Sequence, residues 1–75
     1  MQVPEDKYMI PYINACIRAT AKRFGLRTEQ AFAYLRKFLG LDYLIEFYDT
    51  LHLQSIDDAV DEMVIICRQN GGELE

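Results

Sequence analysis

The apolar positions of this chain recur at helical spacing over most of its length. Side chains of one face stand three or four places apart, which is the period of an amphipathic α-helix. In the first such stretch the apolar face consists of Met9, Ile13, Cys16, Ile17, Thr20 and Phe24. No segment alternates cleanly enough to indicate a strand, and no internal repeat is present. The pattern therefore predicts an all-α fold.

The first two predicted helices have recognisable ends. The first begins near Met9 with Pro11 in its first turn, where a proline costs little because those amides have no intrahelical partner. It ends at Gly25, a residue that suits a helix C-terminus. The second is capped by Thr28 and stopped by Gly40. Its inner face is predicted to consist of Ala31, Leu35, Phe38 and Leu39.

The third predicted helix covers the stretch LDYLIEFYDTLH, residues 41–52. Seven of its first eleven positions are apolar or aromatic, whereas Asp42, Glu46 and Asp49 form one polar stripe. Asp42 is placed to cap this helix. A helix that is apolar nearly all round belongs inside a bundle, where several others touch it. We therefore predict a compact bundle of about four helices in which helix three is central.

The fourth predicted helix begins at Ser55, which can act as its N-cap, and ends at residues 70–72. Its buried stripe is predicted to consist of Ile56, Val60, Met63, Val64 and Cys67. We interpret residues 1–70 as a single helical domain. Residues 71–75 are predicted to be a disordered tail, and residues 74–75 are compatible with a cloning remnant.

The composition limits the environments that fit this chain. Apolar residues make up 51% of its 75 positions, so they either fill a dense core or form a subunit interface. The apolar run at residues 63–67 is five residues long, against about 20 for a bilayer-spanning helix, so we expect no membrane association. We find no leader typical of secretion. We expect a cytoplasmic protein.

The net charge of -4 conceals an asymmetry between the two halves. Residues 1–40 carry a net charge of +4, whereas residues 41–75 carry -8. One interpretation is that the halves pack together and form ion pairs at their rims, each of which contributes little. The other is that the acidic surface steers a basic partner. We favour the first, because exposed charge mostly serves solvation.

The reactive side chains do not form a recognisable site. Cys16 and Cys67 both stand at core spacing, which predicts buried reduced thiols, with a disulfide between the first and last helices as the alternative. His52 lies near the end of the third helix, where we expect it to act as a cap. One histidine and two cysteines that stand 51 positions apart match no metal-ligand spacing. We predict no catalytic, cofactor or metal site, and no enzyme.

The second and third predicted helices match a helix-turn-helix in length. A recognition helix offers basic or amide side chains to base edges, whereas this one offers Asp42, Glu46 and Asp49, which phosphates repel. Basic residues, among them Arg23 and Arg27, lie in the first half instead. A nucleic-acid-binding regulator that uses that half is therefore kept as the alternative hypothesis.

The stretch LDYLIEFYDTLHLQSIDDAVDEM, residues 41–63, resembles the domain-of-unknown-function family 3791, a family of small bacterial proteins. Its members share a DYL-x-EFYD-x-LH core followed by an acidic helix. The matching residues are Asp42, Tyr43, Leu44, Glu46, Phe47, Tyr48, Asp49, Leu51 and His52. The upstream Cys16-Ile17 pair and the segment GLRTEQAFAYLRKFLG also fit, so the resemblance covers most of residues 9–65. Pro11 and the apolar end MVIICRQNGG depart from the family pattern.

The family has no established activity, but its gene context suggests a type of partner. Some members stand beside genes for toxins similar to ADP-ribosyltransferases, which implies an antitoxin or accessory subunit that binds a protein. We predict a small helical interaction module that binds a protein partner or forms a homodimer. Aromatic rings would act as anchors and carboxylates as the rim. The candidate residues are Tyr12, Tyr34, Tyr43, Phe47, Tyr48, Asp42, Glu46, Asp49 and His52.

Overall fold

The computed structural model describes residues 8–73. Within them five helices follow one another: α1 Met9–Phe24, α2 Thr28–Lys37, α3 Gly40–Glu46, α4 Tyr48–Leu51 and α5 Ile56–Gln69. The described residues contain no strand. The helices pack into a compact bundle, with principal extents of 35 × 21 × 21 Å, and the predicted all-α fold is confirmed.

The two long outer helices have the ends that the sequence predicts. α1 runs from Met9 to Phe24 and is followed by its C-cap residue, Gly25, which has a φ of 65° in the left-handed region. The N–H groups of Gly25 and Leu26 both bind the carbonyl of Ala21, which satisfies the open end of the helix. α5 is capped by Ser55, whose hydroxyl accepts a hydrogen bond from the N–H group three residues later.

The junction between α2 and α3 differs from the prediction. α2 ends at Lys37 rather than at Gly40, and it starts at Thr28 with Arg27 as its N-cap residue. Leu39 was predicted to face the core, but its backbone adopts a φ of 71°, and its side chain is turned to the surface. The helix stops early because this left-handed residue cannot continue it.

Gly40 is the first residue of α3 and allows that helix to approach α5 closely. A Cβ atom at this position would lie 2.6 Å from the Cys67 sulfur and 3.2 Å from the Met63 carbonyl oxygen. Real Cβ atoms do not come that close to a sulfur, so only glycine fits here without movement of α5. The sequence predicts that Gly40 stops the second helix, whereas in the structure Gly40 begins α3 and permits this close contact.

The helix predicted over residues 41–52 is divided into α3 and α4 at Phe47. The backbone there leaves the helical region, with a φ of -106° and a ψ of 23°. The N–H groups of Thr50 and Leu51 consequently share the Phe47 carbonyl. Asp42 lies in the first turn of α3 and is not its N-cap, because Leu39 occupies that position.

The chain after α5 folds back onto the bundle. Gly72 is buried, its N–H binds the Cys67 carbonyl at 2.8 Å, and its carbonyl accepts a hydrogen bond from the Tyr34 hydroxyl at 2.6 Å. The ring of Phe38 covers it so closely that a Cβ at Gly72 would clash. The packed chain thus extends into the segment predicted to be disordered, and residues 74–75 lie outside the described residues.

One core joins all five helices, and Leu51 is the residue that α4 contributes to it. α3 packs against α2, α4 and α5 and keeps one face at the surface, so it is not enclosed on all sides as a central helix would be. The large side chains that are fully enclosed are Leu35, Leu44, Leu51, Met63, Val60, Thr20, Cys16 and Cys67. Among residues 8–73, no helix has both the length and the hydropathy that spanning a bilayer requires.

Both cysteines are buried free thiols, as their spacing predicts. Burial raises the pKa of the Cys16 thiol and of the Cys67 thiol above the ordinary value, because the thiolate loses hydration in the core. A thiol of this kind is protonated and enclosed, so it packs as a small apolar side chain.

Candidate functional site

Apolar side chains form a stripe along one side of α3, and its middle residue, Tyr43, is half-buried against the core. The N–H of Tyr43 binds the Leu39 carbonyl at 3.1 Å, and the N–H of Phe47 binds the Tyr43 carbonyl at 3.0 Å. These bonds place Leu39, Tyr43 and Phe47 on successive turns of one side of the helix. The side chains of Leu39 and Phe47 are 45% and 44% exposed. We call these three residues the outer stripe.

The two rings of the outer stripe are in contact, and one of them is tied to α5. The ring centroids of Tyr43 and Phe47 are 4.9 Å apart. The Tyr43 hydroxyl donates a hydrogen bond to the Glu62 carboxylate at 2.7 Å. That bond, together with partial burial, raises the pKa of the Tyr43 phenol, because the carboxylate stabilises its protonated form. The Tyr43 ring is therefore held in place by its contacts with Glu62 and Phe47.

Carboxylates border the outer stripe. Asp42 and Glu46 are exposed on α3, and Asp49 is exposed on α4, just beyond the break at Phe47. No Lys or Arg among residues 8–73 lies within ion-pair distance of them. Ile45 is 44% exposed on α3. The outward face of α3 thus combines apolar side chains with negative charge that the rest of the described chain does not neutralise.

A second aromatic group joins the start of α1 to α4. The Tyr12 hydroxyl donates a hydrogen bond to the Leu51 carbonyl at 2.9 Å, and the Tyr12 ring meets Tyr48 edge-on at 5.5 Å. Tyr48 in turn stacks on His52 with 4.7 Å between ring centroids. The His52 Nδ1 atom lies 2.8 Å from the Tyr48 carbonyl oxygen. His52 is the C-cap residue of α4, which confirms the capping role predicted for it.

Three of the predicted anchors serve the interior instead. Tyr34 and Tyr48 are only 8% and 4% exposed, so they have almost no ring surface to offer a partner. Tyr12 is half-buried and uses its hydroxyl within the chain. Burial raises the pKa of the Tyr12 and Tyr34 phenols above the ordinary value. Sequence spacing could not separate these rings from Phe47, because aromatic residues are common in both cores and interfaces.

Leu39 and Ile45 are surface residues that the sequence did not single out. Leu39 sits at the position after a helix where glycine usually stands, so a sequence offers no warning of its left-handed backbone. Ile45 was counted among the apolar positions of a central helix. Further exposed apolar side chains are scattered over the other elements: Tyr8, Ile10, Phe32, Leu53 and Ile65.

The titratable side chains of residues 8–73 form no metal cluster, and their pKa shifts have one direction. No three His, Cys, Asp or Glu side chains among residues 8–73 come together as a metal site. The groups whose pKa clearly departs from its ordinary value are phenols and thiols, and each is raised, away from neutral pH.

The basic half of the chain contains an open groove between α1 and α2. Its volume is about 510 Å³, and its lining residues are Asn14, Ile17, Arg18, Thr28, Glu29 and Phe32. Arg23, farther along α1, is bound to α5: its guanidinium contacts the Asp61 carboxylate and the Asp57 carbonyl. The predicted pairing between the two charged halves is therefore present at Arg23.

A family of known proteins has a sequence model that matches most of this chain. The family described as a protein of unknown function, DUF3791, has a sequence model that matches residues 11–70, which include α2 to α5 and nearly all of α1. No curated protein and no solved structure is similar enough to this chain to count as a match. The matched segment contains the outer stripe and its carboxylates, and on this evidence the chain belongs to the DUF3791 family.

Proposed function

We propose that this protein is a small helical module that binds another protein through the outer stripe and the carboxylates beside it. The observation that carries this proposal is the half-exposed Leu39 and Phe47 on one side of α3, next to the fixed ring of Tyr43. Contiguous apolar surface bordered by polar groups is typical of protein interaction sites. An aromatic anchor near such a centre commonly dominates the energy of binding.

The energetics of this surface favour association. Full burial of a leucine or phenylalanine side chain contributes roughly 1.5–3 kcal/mol, so covering the exposed half of Leu39 and Phe47 contributes roughly 1 kcal/mol each. The Tyr43 ring is already immobilised by Glu62, which lowers the entropy lost on binding. Burial of Leu39 and Phe47 by a partner therefore requires little rearrangement of the module.

The biological form of this proposal is an antitoxin or accessory subunit in the bacterial cytoplasm. It rests on the toxin-like genes found beside some members of the family. A homodimer through the same surface is the other form. Analytical ultracentrifugation over a wide concentration range separates the two, because a chain that stays monomeric at high concentration rules out the homodimer.

Mutation of the outer stripe tests the proposal. We expect Phe47→Ser to abolish capture of a protein that the unmodified chain binds, whereas Phe32→Ser should leave capture unchanged. Phe32 is the matched control, because it is also a phenylalanine, 40% exposed, on a different helix. A partner that binds all three forms equally well would show that the outer stripe is not the binding surface.

A nucleic-acid-binding regulator is the second candidate, and the basic half supports it. Arg18, Lys22 and Arg27 are exposed, and no carboxylate among residues 8–73 lies within ion-pair distance of them. Charges of this kind bind phosphates. The acidic outward face of α3 opposes this function, because phosphates repel a recognition helix that presents Asp42 and Glu46.

The double variant Lys22→Glu/Arg27→Glu tests this alternative in a gel-shift assay at low salt. A regulator would lose duplex binding, whereas a protein-binding module would keep its partner. Arg23 is left unchanged in this design, because its replacement would also break the contact with Asp61 and confuse stability with binding. Duplex binding by the unmodified chain that the double variant loses would favour the regulator.

A further inference from the structure

We propose that the outer stripe binds a basic amphipathic helix of a protein partner, and that Leu39 is one of the contact residues. This inference rests on the proposed function and specifies the chemistry of its partner. Three observations support it: the backbone of Leu39, the spacing of the stripe and the charge around it.

The backbone of Leu39 is in a conformation that disfavours leucine. Its φ of 71° and ψ of 10° lie in the left-handed region, where a Cβ atom crowds the backbone and glycine is usually found. Its side chain is 45% exposed, so burial within the chain offsets only part of this cost. A strained residue with an exposed apolar side chain is explained when that side chain acts on a partner.

The spacing of the outer stripe suits a helical partner. Leu39, Tyr43 and Phe47 stand on successive turns and span two turns of helix, or about 11 Å. A helix that lies against such a stripe presents its own anchors one turn apart and can pack between them. The hydrogen bond from Tyr43 to Glu62 keeps the middle ring in register with its neighbours.

The charge beside the stripe selects a basic partner over a second copy of this chain. A symmetric dimer uses the same patch on both copies, so Asp42, Glu46 and Asp49 would face their own counterparts. Like charges placed together in an interface weaken it. The sequence has no Lys or Arg between positions 41 and 67, and the three carboxylates form no ion pair within residues 8–73. Lysine or arginine residues flanking the apolar side of a foreign helix would neutralise it.

Two synthetic helices provide the test. Each peptide has about 18 residues, or five turns, with leucines on one face. The other face carries lysines in the lysine peptide and glutamates in the matched glutamate peptide. Each peptide is titrated into the full ¹⁵N-labelled chain, and the amide resonances are followed. We expect the lysine peptide to shift the amides of residues 39–49 saturably and the glutamate peptide to leave them unchanged. Raising the salt from about 0.05 M to about 0.3 M should weaken the binding.

Variants separate the role of Leu39 from a structural one. We expect Leu39→Gly to weaken binding of the lysine peptide at least about fivefold and at the same time to raise the Tm. Binding by Phe32→Ser and Ile65→Ser should match that of the unmodified chain, because these residues lie on α2 and α5. If Leu39→Gly lowers the Tm and leaves binding unchanged, Leu39 is structural and the inference about it is wrong.

The remaining outcomes distinguish this inference from the proposed function. If the glutamate peptide shifts residues 39–49 as strongly as the lysine peptide, the basic partner is refuted while the binding surface stands. Amide shifts that depend on chain concentration without peptide would make a second copy the occupant and refute the inference. If neither peptide binds, the basic helix is refuted. The proposed function also fails only if the Phe47→Ser variant still captures the protein that the unmodified chain binds.

Discussion

At the scale of single residues, two neighbours at the α2–α3 junction have exchanged the roles that their types suggest. Glycine usually occupies the left-handed position after a helix, and leucine usually packs inside one. Here Leu39 takes the left-handed backbone, and Gly40 lies inside the bundle against Cys67 and Met63. The exchange brings α3 close to α5 and places a leucine on the surface.

Gly40→Ala tests the close approach. The new Cβ would meet the Cys67 sulfur at 2.6 Å, so α5 has to shift. We expect a loss of about 1–2 kcal/mol in the free energy of unfolding: overpacking costs about 1–3 kcal/mol, and the better helix propensity of alanine returns up to about 1 kcal/mol. Urea unfolding monitored by circular dichroism measures it. Adding Cys67→Ala should restore part of the loss; an unchanged stability for Gly40→Ala alone would contradict the packing described here.

Leu39→Gly tests the strained backbone. Glycine accepts a φ of 71° without a Cβ clash, so we expect the free energy of unfolding to rise by about 0.5–1 kcal/mol. Ala33→Gly is the control, because Ala33 is exposed within α2 and glycine there should cost about 0.5–1 kcal/mol. Thermal unfolding of both variants gives the comparison. A decrease for Leu39→Gly as large as that for Ala33→Gly would show that the position is not strained.

At the scale of whole elements, the sequence predicts those ends that have a local signal. Gly25 and Ser55 mark the end of α1 and the start of α5, and both act as expected. The end of α2 and the break at Phe47 depend on how α3 sits against α5, a tertiary contact that no local pattern encodes. The same holds for the candidate site: periodicity predicted that Phe47 and the carboxylates reach the surface, as they do, but it could not tell that Tyr34 and Tyr48 turn inward.

Ser55→Ala tests the cap of α5. The Ser55 hydroxyl accepts a hydrogen bond from the Asp58 N–H at 3.1 Å, and its removal leaves that amide unsatisfied by the chain. We expect the free energy of unfolding to fall by about 1 kcal/mol, the usual value of such a cap. Ser55→Asn should keep most of the stability, because asparagine caps equally well. Equal stability of the alanine and asparagine variants in urea would argue against a functional cap.

At the scale of the whole molecule, separation of charge is built into the bundle. The basic first half and the acidic second half meet where Arg23 binds Asp61, and this contact joins the C-terminal end of α1 to α5. The carboxylates on the outward face of α3 take no part in it. Asp61 therefore stabilises the bundle, whereas Asp42, Glu46 and Asp49 form no ion pair with any Lys or Arg of residues 8–73.

Buried phenols and thiols make the bundle sensitive to alkaline pH. The pKa values of Tyr12, Tyr34, Tyr43, Cys16 and Cys67 are all raised in the folded chain. Between its unfolded and folded pKa, each group keeps its proton only when the chain is folded, so rising pH favours unfolding. We expect stability to fall above pH 9.0, the ordinary value for thiols, and more steeply above 10.0, that for phenols.

Urea unfolding at a series of pH values measures this loss. Tyr43→Phe should reduce the slope above pH 10.0, because it removes one of the phenols whose pKa is raised. A free energy of unfolding that stays level up to pH 11, about one unit above the phenol value, would contradict the burial described for these groups.

The most direct test of the outer stripe is the affinity of a protein partner, once cross-linked to the unmodified chain and identified, for Phe47→Ser and Phe32→Ser. We expect a loss of at least about fivefold for Phe47→Ser, because removing an aromatic anchor costs more than about 1 kcal/mol. We expect a change within about twofold for Phe32→Ser, whose ring lies on α2. Equal affinities for the two variants would contradict the assignment of the outer stripe as the binding surface.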